Sequence, residues 1–408
     1  MRKHRHPQIK GLVIKVASRC NLNCSYCYVY NQGDTTYQLQ PRFMSGETVS
    51  LLLKRVGDYC RRHRSRTFRF IFHGGEPLLV PVSFYYEFVG KVTSYLPTYT
   101  TVSYFVQTNG VLLTDRWCQV LGELNIQIGI SLDGDPQTHN KYRVDHKGQG
   151  SYEATIRGLR KAQAHKAVRY EPGILVVIDP GSDPASFLEQ MVRLKISSLN
   201  LLFPDGTHTN RPPHLPLHSL ETPYADWLVQ VFDKWLQLPV SERPSIRLFQ
   251  QLINLILGFT PAATVVGRKP GVFLVIETDG SIEAEDSLKV CQPGITKEGQ
   301  HLQTHTLESA LAAPLVTQCA HSRSALPTKC LPCPIRNVCG GGFVVHRYHP
   351  ENGFDNPSVY CRDLLRLITH IQTTVLATLP RSLVENYSVR PLPFEQALEI
   401  LSKSNSES

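Results

Sequence analysis

The chain has no hydrophobic run of the roughly 18 residues that a membrane-spanning helix requires, so a helical membrane protein is excluded. Its start, MRKHRHPQIKG, is basic but lacks the apolar segment of a secretory signal. A cytoplasmic location is the expectation. No internal repeat of fixed period is present, which sets aside solenoids and propellers. Long basic runs are scarce as well. The net charge is +9, yet Lys and Arg are spread along the chain apart from short clusters at Arg2–Lys10 and Arg61–Arg66. That is a solvated surface rather than a nucleic-acid footprint. A mild positive charge would favour acidic peptide partners by steering.

What the chain does have is cysteine. There are 11, at 20, 24, 27, 60, 118, 291, 319, 330, 333, 339 and 361. In a cytosolic chain of this size they favour metal or cluster ligation over disulfides. Three crowd near the start and four near the end. Cys60 and Cys118 stand alone in helix-like segments and are expected to be buried apolar fillers.

With 408 residues, two to three domains are expected. Short β-branched or aromatic runs read as strands: Leu12–Val16, Thr67–Phe72, Val102–Gln107, Ile126–Ser131, Ile174–Ile178 and Leu199–Leu202. Helical segments alternate with them, so right-handed βαβ crossovers and a parallel sheet follow. The expected fold is α/β, a partial (β/α)6 TIM-like barrel with a small cysteine-rich C-terminal domain. The expected segments are a basic extension at 1–10, the barrel at 11–220, bridging helices and a hairpin at 221–290, the cysteine-rich domain at 291–380 and a tail at 381–408. The hairpin turns at Asp279–Gly280. SRCNLNC, HGGEP, QTNG and SLDG each follow one of the first four strands. In parallel α/β folds, sites collect at the C-terminal ends of strands. These four motifs are therefore expected at one mouth.

Cys20, Cys24 and Cys27 have C-x3-C-x2-C spacing. Three thiolates can hold a 4Fe–4S cube and leave the fourth iron open, whereas full ligation takes four cysteines. The alternative, a zinc knuckle, needs a fourth Cys or His at a matching offset, and none is near. Cys330, Cys333, Cys339 and Cys361 are a full set of four, for one auxiliary 4Fe–4S cluster or a structural zinc ion. Cys291 and Cys319 remain for a second auxiliary cluster but have no clear partner set.

The first trio, with Tyr26 at the aromatic position, resembles the signature of the radical S-adenosylmethionine (SAM) superfamily. The resemblance covers the first half of the chain. It implies that SAM caps the open iron and is cleaved to a 5′-deoxyadenosyl radical. His73-Gly74-Gly75-Glu76-Pro77 resembles the family's GGEP motif, whose glycines let the backbone approach the methionine ammonium. The resemblance implies cofactor contacts for Tyr26, Gly74, Gly75, Glu76, Ser131 and Arg143, with Gln107 and Asn109 at the same mouth and Leu202 against the adenine.

The C-terminal spacing resembles the SPASM auxiliary-cluster domain, with one departure: Phe343 stands where a further cysteine belongs. SRCNLNCSYCYVYN, RFMSGETV, LLFPDGTH, ETDGSIEAEDSLKV, CGGGFVVHRY and GFDNPSVYC together resemble the cyclophane-forming radical SAM/SPASM peptide maturases. This implies an oxidoreductase that joins an aromatic ring carbon to a Cβ in a ribosomally made precursor peptide. An electron donor such as a flavodoxin or ferredoxin is implied. Asp205, His208, Glu285 and Asp286 are candidate proton acceptors, with turn and surface roles as the alternative. The competing activities are sulfatase maturation, thioether formation and, from another class, a non-catalytic iron–sulfur or zinc scaffold. With about ten residues before the first strand, no separate peptide-recognition domain is expected.

Overall fold

The computed structural model describes residues 9–217, 219–259, 265–268, 273–322, 325–380 and 391–406. Its strands are β1 (Gly11–Ala17), β2 (Thr67–Gly74), β3 (Thr101–Thr108), β4 (Ile126–Ser131), β5 (Gly173–Val177), β6 (Ser198–Leu202), β7 (Ser245–Ile246), β8 (Leu274–Ile276) and β9 (Ile282–Glu283). They fall in two compact units that interleave in sequence. One is built from the chain up to Val176 and from the stretch between positions 272 and 320. The other takes the stretch between 177 and 271 and the chain from 321 onward. The segment expected as one cysteine-rich domain therefore contributes to both units.

The first unit is an α/β layer structure. β1 through β5 pair in parallel, each with the next in sequence through β5. On its other edge β1 pairs in parallel with β8, which turns back on β9 as an antiparallel hairpin at Asp279–Gly280. β2 shows why these segments are strands. Phe68, Phe70 and Phe72 alternate with Arg69, Ile71 and His73, and the three phenylalanines are fully buried. Phe70 and Phe72 pack edge-on to Phe88 and Tyr85 of helix Val82–Tyr95. The outer helices are amphipathic with conventional starts. Helix Gly46–His63 is capped by Ser45, which accepts from the Thr48 N–H, and buries Val49, Leu52, Leu53, Val56 and Cys60. Cys60 and Cys118 are fully buried, as apolar fillers should be.

One of the helices that escaped the sequence reading shapes the site. Pro136–Tyr142 follows SLDG, with Asp135 as its cap and Pro136 in its first turn. It is only two turns long, too short for a periodic pattern. It delivers Arg143.

The second unit starts with the sixth β/α repeat, β6 with helix Pro184–Arg193 before it and β7 beside it in parallel. Helix Cys361–Thr378 packs against helices Pro223–Gln237 and Arg247–Ile256. Phe232, Trp235 and Phe249 stack between them. The expected C-terminal tail needs correction. Residues 381–390 lie outside the described residues, as do 1–8 of the basic extension, but Phe394–Ser406 is a helix. It docks on helix Cys361–Thr378, where Arg362 and Arg366 lie over the Phe394 ring. Among the described residues, no helix is long and apolar enough to cross a membrane.

Candidate active site and auxiliary pocket

The three-cysteine loop leaves the C-terminal end of β1. Backbone bonds hold it in place: Asn23 N–H to the Val144 carbonyl at 2.8 Å and Ser25 N–H to the Tyr142 carbonyl at 3.0 Å. The Cys27 N–H closes a turn onto the Cys24 carbonyl at 3.0 Å. The 142–146 strap is thus the mould of the loop, and sequence gave no sign of it.

Side chains from the other motifs converge on the same loop. Tyr26 Oη donates to Asp133, and Arg143 Nε donates to the same carboxylate oxygen at 2.7 Å. The guanidinium also lies 5.4 Å from the Tyr26 ring. Asp133 and Arg143 are buried and Tyr26 is partly buried, so the two charges must find their partners inside. Asp133, within SLDG, had not been singled out. Gln107 Nε2 donates to Ser131 Oγ at 3.0 Å, so these two predicted residues meet. Asn109 Nδ2 donates to Asn21 Oδ1 at 2.8 Å and lies 3.8 Å from Cys20 Sγ.

Glu76 turns away from open space. Its carboxylate accepts from Leu78 N–H, Thr108 Oγ1 and Asn109 N–H at 2.7–2.9 Å, which pins the GGEP turn to QTNG. Burial outweighs these three donors and raises its pKa to about 7. Gly75 has no room for a side chain: an added Cβ would sit 2.3 Å from the Arg19 carbonyl and 2.0 Å from Tyr30 Oη.

A buried ionic centre lies at the same ends of β1 and β2, where Lys15 is in register with His73. Lys15 Nζ is 2.5 Å from Asp286 Oδ2, and Tyr28 Oη donates to that oxygen at 2.9 Å. Burial opposes ionisation of Asp286, but Lys15 outweighs it and holds the carboxyl well below the usual range. His73 is half-buried, and desolvation and then Lys15 lower its pKa to about 4. Among the described residues, its buried Nδ1 has no hydrogen-bond partner. Asp286 was foreseen as a proton acceptor. Lys15 was missed, although a lysine inside GLVIKVA was the available signal.

The donor set fits an iron–sulfur cluster. Burial pushes the Cys24 thiol up to about 11 and raises Cys20 and Cys27 as well. Three crowded thiolates need a cationic centre among them. Residues 14–187 match the Radical SAM superfamily. This chain is an enzyme, and the matched stretch takes in the three-cysteine loop. Its cofactors are a 4Fe–4S cluster and SAM. The enzyme is 29% identical over 276 residues to a cysteine-type anaerobic sulfatase-maturating enzyme of Clostridium novyi, covering 66% of this chain and 71% of the relative. It is 26% identical over 345 residues to the serine-type enzyme of Klebsiella aerogenes, covering 82% and 79%. Native anSMEcpe with bound AdoMet shares the fold at TM-score 0.76 and 21% identity, over 90% of this chain and 98% of that one. Streptococcus suis SuiB bound to precursor peptide SuiA aligns at TM-score 0.53 and 16% identity, over 86% and 76%.

In the second unit, Cys330, Cys333, Cys339 and Cys361 line one cavity, together with Ile335, Leu365 and the cations Lys329 and Arg336. Among the described residues, no three Cys, His, Asp or Glu side chains converge tightly enough for a single metal ion. Burial raises the pKa of all four, Cys330 to about 11 and Cys339 to about 12. Gly340, Gly341 and Gly342 all take positive φ, and a Cβ on Gly340 would lie 2.1 Å from the Gly267 carbonyl. This sharp reversal ends at Phe343, where the seventh SPASM cysteine is missing. Cys291 and Cys319 belong to the first unit and do not line this cavity. Leu202, Asp205 and His208 lie in the second unit, at and just after β6.

Proposed function

We propose that this chain is a radical SAM enzyme that oxidises a ribosomally made precursor peptide in the cytoplasm, forming a C–C cyclophane between an aromatic ring and a nearby Cβ. The observation that carries the oxidative reading is the pairing of a three-cysteine loop with a separate, complete four-cysteine cavity. Cys20, Cys24 and Cys27 hold the first cluster. When bound, that cluster and SAM supply a 5′-deoxyadenosyl radical able to remove a hydrogen atom from an unactivated C–H bond. Gly74 and Gly75 leave space for SAM, and Gln107 and Ser131 contact it. Tyr26, Asp133 and Arg143 fix the loop that presents it, as Glu76 fixes the glycine turn.

Asp286 then acts as proton acceptor. The peptide loses a Cβ hydrogen, the carbon adds to the aromatic ring, and restoring aromaticity releases one proton and one electron. Lys15 and Tyr28 keep the Asp286 carboxylate ionised and oriented. Cys330, Cys333, Cys339 and Cys361 hold an auxiliary 4Fe–4S cluster, whose chemistry is to accept the electron. A flavodoxin or ferredoxin reduces the enzyme.

The second reading is formylglycine formation on a sulfatase, supported by the sulfatase-maturating relatives. Mass spectrometry of a co-expressed precursor, followed by an aldehyde-reactive hydroxylamine, separates the two. A peptide that loses two hydrogens and stays unlabelled supports the crosslink. A labelled product transfers the assignment to sulfatase maturation, and an unmodified peptide under cluster-replete anaerobic conditions rejects the cyclophane.

A further inference from the structure

We propose that His346 and Asp205 form a proton-loading pair for the auxiliary cluster, so that His346 takes up one proton when that cluster takes up one electron. The proposal rests on the reading of Cys330, Cys333, Cys339 and Cys361 as cluster ligands.

His346 is 3% exposed and, among the described residues, its Nε2 has no hydrogen-bond partner. A buried polar atom without a partner is costly and asks for a role. Asp205 Oδ1 stands 3.6 Å away, too far for a hydrogen bond but close enough to stabilise an imidazolium. The Asp205 side chain is 21% exposed, so this carboxylate joins the buried imidazole to solvent. Apolar edges enclose the rest of the ring: Tyr360 at 4.8 Å and Phe343 at 5.3 Å between centroids.

The same residues tie the pair to the cavity. Tyr360 directly precedes the ligand Cys361, and its Oη donates to the Pro204 carbonyl, next to Asp205, at 2.7 Å. Phe343 ends the glycine reversal that leaves Cys339. An added electron places a negative charge in a poorly solvated region, where an uptaken proton offsets it. Histidine is the side chain that gains a proton near neutral pH. The balance is one electron onto the cluster and one solvent proton, passed by Asp205, onto Nε2. In turnover the oxidised peptide supplies the electron. Among the other titratable groups nearby, Arg347 donates to the Ser322 and Phe354 carbonyls and His208 Nε2 is 2.9 Å from the Pro357 carbonyl. Asp363 accepts from the Ala225 N–H through Oδ1, and burial raises its pKa to about 6, so its titration ends below the pH window of the test.

The test is an EPR-monitored redox titration of the full-length chain carrying Cys20→Ala, Cys24→Ala and Cys27→Ala, which leaves the auxiliary cluster alone. Between pH 6.5 and 8.5 its midpoint is expected to fall by about 59 mV per pH unit, the one-electron value for a tenfold change in proton concentration. His346→Gln, similar in size but not titratable, should flatten that slope. Asp205→Asn, at a partly exposed position, should flatten it above pH 7.5 and serves if the first variant folds poorly. A pH-independent midpoint in the parent, or an unchanged slope in His346→Gln, overturns the proposal. Absence of any cluster signal rejects the auxiliary-cluster reading itself, a distinguishable failure.

Discussion

The three-cysteine loop and the four-cysteine cavity use the same ligand atom in opposite surroundings. Around Cys20, Cys24 and Cys27 the fold places polar and ionic side chains: Asp133 with Arg143 and Tyr26, Asn109 with Asn21, and Asp286 with Lys15 and Tyr28. Around Cys330, Cys333, Cys339 and Cys361 it places Ile335, Leu365 and a glycine turn, with Lys329 and Arg336 as the charged groups of the lining. A site that must bind and cleave a charged cofactor needs fixed dipoles and donors. A site that only stores an electron needs four ligands and low dielectric. The contrast teaches that ligand count and wall chemistry carry the functional difference together.

Exchanging cysteines breaks the comparison most sharply. Cys24→Ala should abolish 5′-deoxyadenosine formation from SAM, measured by chromatography after dithionite reduction, and leave about half the iron in place. Cys361→Ser should do the reverse, keeping SAM cleavage and removing the crosslinked product. If both variants lose SAM cleavage alike, the two sites do not divide the work as argued.

Asp286→Asn tests the proton acceptor. Product formation should fall by about 10²–10⁴-fold while 5′-deoxyadenosine formation persists. Equal loss of both would assign Asp286 a structural part instead. Asp133→Ala leaves Arg143 buried without its partner, and breaking a buried pair costs about 3–5 kcal/mol. Anaerobic urea unfolding should register a loss of that size, larger than for Asp115→Ala in the exposed Lys161 pair.

The smallest effect is a pH dependence. His139 stands behind the SLDG turn, where its Nδ1 accepts from the Asp133 N–H, and burial lowers its pKa to about 4. The unfolded chain therefore binds this proton first. The contribution of His139 to stability is complete above about pH 6.5 and is lost as pH falls toward 4. His139→Gln should flatten the acid limb of stability against pH over that window. An unchanged limb would show that other groups dominate it.

Much of the fold was legible because its signals are local. The alternating phenylalanines of β2, the Ser45 cap and the Asp279–Gly280 turn each need only a few neighbouring residues to be recognised. Cys20, Cys24 and Cys27 were legible for the same reason, since their spacing is itself the geometry of a wrapped cluster. Helix Phe394–Ser406 was not, because its order comes from docking on helix Cys361–Thr378.

The amino-acid sequence by itself determined where the first six strands lie, and the number and spacing of the thiols that carry the family resemblance. Only the tertiary structure decided which charges share a burial site. Lys15 and Asp286 are 271 positions apart, Asp205 and His346 are 141 apart, and neither pair has a local signature. Their partnership arises because burying one charge forces the fold to bring another to it.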